Sequence, residues 1–396
     1  MRKVYIVSAI RTPLGKFGGV LAGLSPIDLG AHIMQAAIAQ AGIPVAALDL
    51  YIMGNVLRAG HGQLLPRQAA LKAGIPKTVN GYAVDMVCSS GMMSLINATN
   101  TIRVGDADIV LAGGMESMSQ AGFFLSHRAR WGYKFFLGAP ESLTDVLLCD
   151  GLTDTTTGET MGEQAERIAV IYGFCRQELD EVAFYSHQKA AAAMQRGSFS
   201  KEIVPITVKT KHDKQLVDTD EGIRSDTTCF GLAKLHSVFQ PNGVLTAGNS
   251  SQISDGAAAV VLASHSAVKS YQLQPMAEVL GATWASGETW RFLEAPVWAV
   301  KQLLEKLGMT GADIDLFENN EAFALSNLLF SQLLSVPKDK LNVNGGAIAL
   351  GHLIGASGTR LVVTLLNALK EHKKTVGIAA LCHGTGGGTA IAIKRL

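Results

Sequence analysis

Short apolar runs alternate along this chain with longer stretches of helical period, and no other feature constrains the fold as much. Strand-length and helix-length apolar faces bury one another in layers, so the pattern predicts an α/β protein. Candidate strands cover residues 3–8, 50–54, 81–85, 108–112, 257–263, 276–282, 316–318 and 377–382. Candidate helices cover 26–41, 89–104, 295–307, 322–335 and 357–369.

An internal echo runs through this alternation. In front, Gly42-Ile43-Pro44 leads through Ala47-Leu48-Asp49 to the run at 50–54; behind, Gly308-Met309-Thr310 leads through Asp313-Ile314-Asp315 to 316–318. Each half then has a motif at a helix start, Cys88-Ser89-Ser90-Gly91 in front and residues 351–358 behind. A helix and a glycine-rich strand exit follow each motif, Ala112-Gly113-Gly114 and Gly386-Gly387-Gly388. The echo predicts duplicated halves, one at 1–120 plus 248–270 and one at 271–396. Residues 121–247 differ in character. An aromatic segment (Phe123, Phe124, Trp131, Tyr133, Phe135, Phe136) precedes a polar helix-forming part at 163–196 and a charged region with Lys209, Lys211, Asp213, Lys214 and Asp218. This reads as an inserted lid or assembly element covering one face of the core.

Composition narrows the function. With 48% hydrophobic and 17% charged residues in 396, the chain buries a large core and is not disordered. A formal charge of +1 gives no global field toward nucleic acid or an anionic membrane, so an anionic ligand must meet a local site. The cysteines, Cys88, Cys149, Cys175, Cys229 and Cys382, are odd in number and form no CxxC pair. That argues against a disulfide framework or structural zinc and for a reducing compartment. The start, MRKVYIVSAIRTP, is too short in apolar length for a signal peptide, and no run reaches the ~18 apolar residues of a membrane span. Lys394-Arg395-Leu396 only weakly echoes a peroxisomal tripeptide, so a soluble, cytoplasmic protein is expected.

Five stretches can carry chemistry. Cys88 follows a predicted strand and opens a helix, where free N–H groups and the dipole favour a thiolate; the alternative is a small buried hydrophobe. His352 stands in Gly351-His352-Leu353-Ile354-Gly355-Ala356-Ser357-Gly358, whose glycines permit a tight backbone. An imidazole held there can take a cysteine proton or donate to an oxyanion, where most histidines are surface or satisfied core residues. Cys382 and His383 precede Gly384-Thr385-Gly386-Gly387-Gly388. A cysteine there can act as a base beside free backbone amides, though such a run can also cradle phosphate; no P-loop lysine follows. Asn320, in Asn320-Glu321-Ala322-Phe323, can hold a water or donate to a carbonyl, or can cap a helix beginning at Ala322. Thr246-Ala247-Gly248-Asn249-Ser250-Ser251 suits backbone contact with an extended ligand, or an ordinary tight turn.

Together these stretches resemble the thiolase family over almost the whole chain, in family order. Ser8-Ala9-Ile10-Arg11-Thr12-Pro13 and Gly113-Gly114-Met115-Glu116-Ser117-Met118 match as well. The resemblance implies two βαβαβαββ halves in five layers, α-β-α-β-α, with a loop domain inserted in the first. It implies that Cys88 is acylated with His352 as base, and that Cys382 moves the α-proton of the second acyl-CoA. Asn320, through a water, and His352 would polarise one thioester oxygen; backbone amides of Cys88 and Gly384 would form the second oxyanion hole. Coenzyme A, as substrate and product, would lie along Met161, Arg224, Ala247, Gly248, Ser251, Ala322 and Phe323. No metal or tightly bound cofactor is implied.

Within the family the chain is similar to short-chain biosynthetic members, which interconvert two acetyl-CoA with acetoacetyl-CoA plus CoA by ping-pong Claisen chemistry. Asp150-Gly151-Leu152-Thr153-Asp154 and the aromatic loop before it carry that likeness, which implies a homotetramer built as a dimer of dimers. The chain departs from the pattern at Thr160, Leu353, His383 and Thr385 and across 283–291, with Trp284 and Trp290; these departures bear on substrate length. The rival is a degradative 3-ketoacyl-CoA thiolase of longer chain length. A condensing enzyme of the ketoacyl-synthase type leaves Cys382 unexplained. A non-catalytic acyl-CoA carrier would be expected to have lost some of these residues, and none is missing. Nothing in charge or periodicity supports a nucleic-acid or membrane role.

Overall fold

The computed structural model describes residues 2–132, 142–209 and 213–396. Tyr133, Phe135, Phe136 and Lys211 of the sequence reading lie outside them. Nine strands form the main path of one continuous sheet: β1 (Val4–Arg11), β2 (Leu50–Gly54), β3 (Asn80–Val84), β4 (Ile109–Ser117), β5 (Ser254–Ser264), β6 (Ala277–Ser286), β7 (Leu316–Asn319), β8 (Val376–His383) and β9 (Gly387–Arg395). Their order is β7-β8-β9-β6-β1-β5-β4-β2-β3.

Followed outward from its middle, the sheet says the same thing twice. On one side β1 pairs antiparallel with β5, β5 antiparallel with β4, and β4 and β3 flank β2 in parallel. On the other side β6 pairs antiparallel with β9, β9 antiparallel with β8, and β8 parallel with β7, beyond which Leu341 bridges Phe317 in parallel. The sides meet where β1 and β6 pair at Tyr5–Glu278 and Ile6–Ala277. The duplicated halves are therefore real.

Helices fill the remaining layers. α1 (Pro26–Ala41) and α2 (Leu65–Lys72) cover the outer face of the first half. α3 (Ser90–Val104) lies in the middle; α4 (Met161–Tyr172) and α5 (Arg176–Gln195) belong to the insertion between β4 and β5. α6 (Ala295–Leu307) and α7 (Ala324–Leu334) cover the outer face of the second half, and α8 (Ser357–Glu371) joins α3 in the middle. One apolar cluster takes Met92, Leu95 and Ile96 of α3, Leu361, Val362 and Leu365 of α8, and inward residues of both half-sheets. Five layers, α-β-α-β-α, result, and α8 is buried on every side from Ser357 through Leu369.

Several boundaries differ from expectation. β9 and α2 are additional elements. β4 runs on through Gly113 and Gly114 to Ser117, and α7 starts at Ala324, not Ala322. The central helices approach closely at their first turns. A Cβ at Gly358 would lie 2.4 Å from the Met92 nitrogen, and one at Gly91 would lie 2.8 Å from Thr359 Oγ1. Only glycine fits such a crossing.

Candidate active site

Cys88 sits in a tight turn between β3 and α3. Val87 before it holds φ +48°, a left-handed conformation that costs a β-branched residue ~1–3 kcal/mol and is found mostly at functional sites. Ser90 Oγ secures the turn, donating to the Val87 carbonyl at 2.6 Å and accepting the Met86 N–H at 2.8 Å. Ser89 Oγ lies 3.0 Å from Thr389 Oγ1 of β9, a buried tie between the halves.

The backbone N–H groups of Cys88 and Gly384 favour the Cys88 thiolate, and Cys88 in turn acts on the ionisation of Cys382. The helix end was expected to favour the thiolate. In the free protein burial outweighs it, and the Cys88 pKa is pushed up to about 12 despite the two amides, with Glu116 adding a smaller repulsion. Cys382 rises too, from burial and then from Cys88. Both thiols are held protonated, so either would need a base to react as a thiolate.

His352 can be that base. It is buried, and Ser357 Oγ lies 2.6 Å from its Nδ1. The Ser357 hydroxyl donates to the Leu353 carbonyl at 2.9 Å, so toward the imidazole it can only accept. Nδ1 therefore carries the ring proton, and Nε2 keeps a lone pair. Burial, then the Arg360 charge, pushes the His352 pKa down to about 3, so the ring is neutral at physiological pH.

Asn320 Nδ2 lies 3.4 Å from His352 Nε2. Its Oδ1 accepts from Arg360 Nη2 at 3.4 Å, which turns the amide N–H groups toward the histidine. Arg360 is buried opposite Glu318 at 3.9 Å, and burial lifts Glu318 to about 8. The capping alternative for Asn320 falls away. α7 starts four residues later, and the Phe323 N–H at its entry donates to Ser326 Oγ.

The loop at 351–358 is fastened from the first half. Glu116, at the end of β4, accepts from Gly355 N (2.9 Å), Val56 N (3.0 Å), Leu57 N (3.1 Å) and Asn55 Nδ2 (2.9 Å). Burial still raises its carboxyl to about 7. In the sequence Glu116 stands only within a matching segment, and nothing there marks Ser357, Arg360 or Asn55 as parts of the site. The available signal is an acid near the end of an otherwise apolar run.

The remaining expected residues fall into two places. Met161 opens α4 beside Gly384, whose Cβ would lie 3.6 Å from the Met161 sulfur. Ser251 N donates to the Ala322 carbonyl at 3.0 Å, Ser250 bridges Phe323, and Ala324 N donates to Asn249 O at 2.8 Å, so 249–251 and 322–324 run together. Gly248 leaves room for Leu232 and Leu235, and Ala247 adjoins it. Arg224 is exposed; its N–H donates to His187 Nδ1 at 3.2 Å, away from the cysteines' apolar surroundings. Among the described residues no three His, Cys, Asp or Glu side chains are grouped to hold a metal, and no helix is long and apolar enough to cross a membrane.

Two buried cysteines, one acting on the ionisation of the other, and a neutral histidine with an amide beside its Nε2 are an arrangement that can transfer an acyl group. Residues 4–266 match the thiolase N-terminal domain and 273–395 the thiolase C-terminal domain, and the chain belongs to the thiolase family. It is 65% identical, over all of both chains, to the acetyl-CoA acetyltransferase of Synechocystis sp.. The crystal structure of the Bacillus anthracis acetyl-CoA acetyltransferase superposes with a TM-score of 0.96 at 37% identity, covering 100% of this chain and 99% of that one. A thiolase of Ascaris suum solved in complex with coenzyme A gives 0.93 at 40% identity, covering all of both.

Proposed function

We propose that this thiolase is an acetyl-CoA C-acetyltransferase, interconverting two acetyl-CoA with acetoacetyl-CoA plus CoA. The reading is supported by the grouping of Cys88, Cys382 and the Gly384 N–H, and by the His352–Asn320 pair on a loop that Glu116 fastens to the first half. Cys88 attacks the first thioester as its proton passes to His352 Nε2. The oxyanion is held by the Cys88 and Gly384 N–H groups, and CoA leaves as a thiolate that takes the proton of the Cys382 thiol, while His352 keeps the proton it took from Cys88. The Cys382 thiolate then takes an α-proton from the second acetyl-CoA, whose thioester oxygen is held by the protonated Nε2 of His352 and by Asn320 through a bound water. The resulting carbanion attacks the acyl group on Cys88, and the departing Cys88 sulfur recovers its proton from His352. In thiolysis the steps reverse, and the Cys382 thiol, kept neutral by burial, reprotonates the leaving carbanion.

Cys382 shares an apolar cluster with Met161, Phe292, Phe323 and Ile348, and these bulky walls favour a short acyl group. Coenzyme A enters along Met161, Ala247, Gly248, Ser251, Ala322 and Phe323, with Arg224 at the outer end. Residues 1–120 plus 248–270 and 271–396 make up the catalytic halves, and 121–247 covers the site and joins dimers into a tetramer in the cytoplasm. The test is cleavage of acetoacetyl-CoA by purified protein and free CoA, beside longer 3-ketoacyl-CoAs. Fast turnover of the four-carbon substrate alone is expected; a preference for longer chains would make it a degradative thiolase, and no turnover would end the enzymatic reading.

A further inference from the structure

The last residue of β8 and the loop after it carry two of the departures from the family pattern, and both side chains reach the same atom. His383 Nδ1 lies 2.7 Å from the Gly384 carbonyl oxygen, and Thr385 Oγ1 lies 2.5 Å from it. A carbonyl oxygen only accepts, so both groups donate. The same glycine packs beside Val87, the residue before Cys88, where a Cβ would lie 3.8 Å from Val87 Cγ1, and its N–H favours the Cys88 thiolate. We propose that His383 and Thr385 are positioning residues that clamp the Gly384 carbonyl and thereby aim its N–H at Cys88 and the acyl oxygen carried there. This rests on the acyl-Cys88 reading above.

The need for a clamp follows from the local chain. Thr385 and Gly386 both hold left-handed backbone (φ 68° and 82°) within a glycine-rich turn whose peptides would otherwise be free to tilt. A displacement of ~1 Å in such a donor can cost about 100-fold in rate. The clamp acts by geometry and not by polarisation: the bound carbonyl belongs to the 384–385 peptide, and the aimed N–H to the 383–384 peptide. His383 suits the task. Its ring is buried against Gly387, where a Cβ would come within 2.0 Å of Nε2, and Nε2 has no hydrogen-bond partner among the described residues. The ring is thus set by its Nδ1 bond and by packing, and burial keeps it neutral. The far end of the turn is fixed by Gly287 N donating to Gly386 O at 2.9 Å.

The test is the pH profile of Cys88 alkylation by iodoacetamide, read on the Cys88 peptide by mass spectrometry, together with the rate of Cys88 acylation by acetoacetyl-CoA. Full-length wild type, His383→Ala, His383→Asn, Thr385→Val and Thr385→Ser are compared. The titratable groups around Cys88, namely Cys382, Glu116 and His352, are the same in all five, and His383 is kept neutral by burial, so its removal takes away no charge. His383→Ala and Thr385→Val should move the profile to higher pH and slow acylation by roughly 10- to 100-fold with little change in KM. His383→Asn and Thr385→Ser, which return a donor, should recover most of both. A merely structural role would lower Tm without moving the profile of the folded fraction. Thr385→Val keeps the shape of the side chain, so an unchanged profile and acylation rate in that folded variant overturns the clamp even if His383→Ala does not fold. Failure of the wild type to form acyl-Cys88 would instead overturn the functional reading, and the alkylation profiles would still be readable.

Discussion

The two halves place equivalent residues at equivalent points and use them differently. Gly54 pairs with Gly114 across β2 and β4, and Asn319 with Ala380 across β7 and β8. One step past β2 stands Asn55, and one step past β7 stands Asn320. Two steps past the paired residues stand Glu116 in the first half and Cys382 in the second. The first half thus has Asn55 bonded to Glu116, a clamp that fastens Gly355 of the histidine loop. The second half has Asn320 beside His352, and Cys382 beside Cys88. The same topology supplies a brace on one side and the candidate reactive groups on the other; in the proposed mechanism all of them but Cys88 stand in the second half.

That division can be broken or sharpened by substitution. The largest effect belongs to the cysteines. Cys88→Ala should abolish acylation and lower kcat by roughly four orders of magnitude or more with the fold intact, whereas Cys382→Ser should still acylate at Cys88 yet fail to form the carbon–carbon bond. Single-turnover trapping of the acyl-enzyme separates the two; acylation lost in both would merge their roles. Next, the two asparagines should part company. Asn320→Ala should cost about 10²–10³ in kcat with little loss of stability, and Asn55→Ala should mainly cost stability, about 1–3 kcal/mol in urea unfolding. Equal kinetic losses would erase the contrast.

Glu116→Gln faces an amide N–H₂ against donors and should destabilise by about 1–3 kcal/mol. The wild type also carries a pH signature. A carboxyl raised from 4.5 to about 7 holds a proton in the native state that the unfolded chain has lost. Its contribution is complete below about 4.5 and fades as pH climbs through 7, and the glutamine variant should lack that slope. Smallest of all, Thr389→Val removes the hydroxyl partner of Ser89 across the halves and should cost about 1 kcal/mol with kcat almost unchanged.

The layers were legible because period and caps agree with them. The helix at 26–41 is bounded by a Ser25–Asp28 capping box and a left-handed Gly42, and the predicted strand at 50–54 and helix at 295–307 coincide with β2 and α6. β9 was illegible because Gly387-Gly388-Thr389 looks like a strand exit; its conformation comes from pairing with both β6 and β8. β4 was shortened in the reading at Gly113-Gly114, where a Cβ on Gly114 would strike the Gly355 carbonyl at 2.2 Å, a requirement visible only in three dimensions. The candidate residue types could be picked out from their motifs, but not what orients them. Glu116 and Gly355 are 239 residues apart, and Arg360 and Asn320 are 40 apart. No local pattern announces such pairings. Even the sign of the Cys88 shift depended on burial by the other half.

The fully enclosed α8 has a consequence for how the protein is made. The first half leaves the ribosome with the inner face of α3 uncovered, and its lid is synthesised some 250 residues later, roughly 15–50 s at ordinary elongation rates. Until then a nascent chain displays a broad oily surface and unpaired strand rims, so it depends on holding chaperones or on sluggish premature association. Translation that stops anywhere before the last strand yields a polypeptide without Cys382 and Gly384 fixed in place. Under the proposed mechanism, half-made copies would leave thioesters untouched in the meantime.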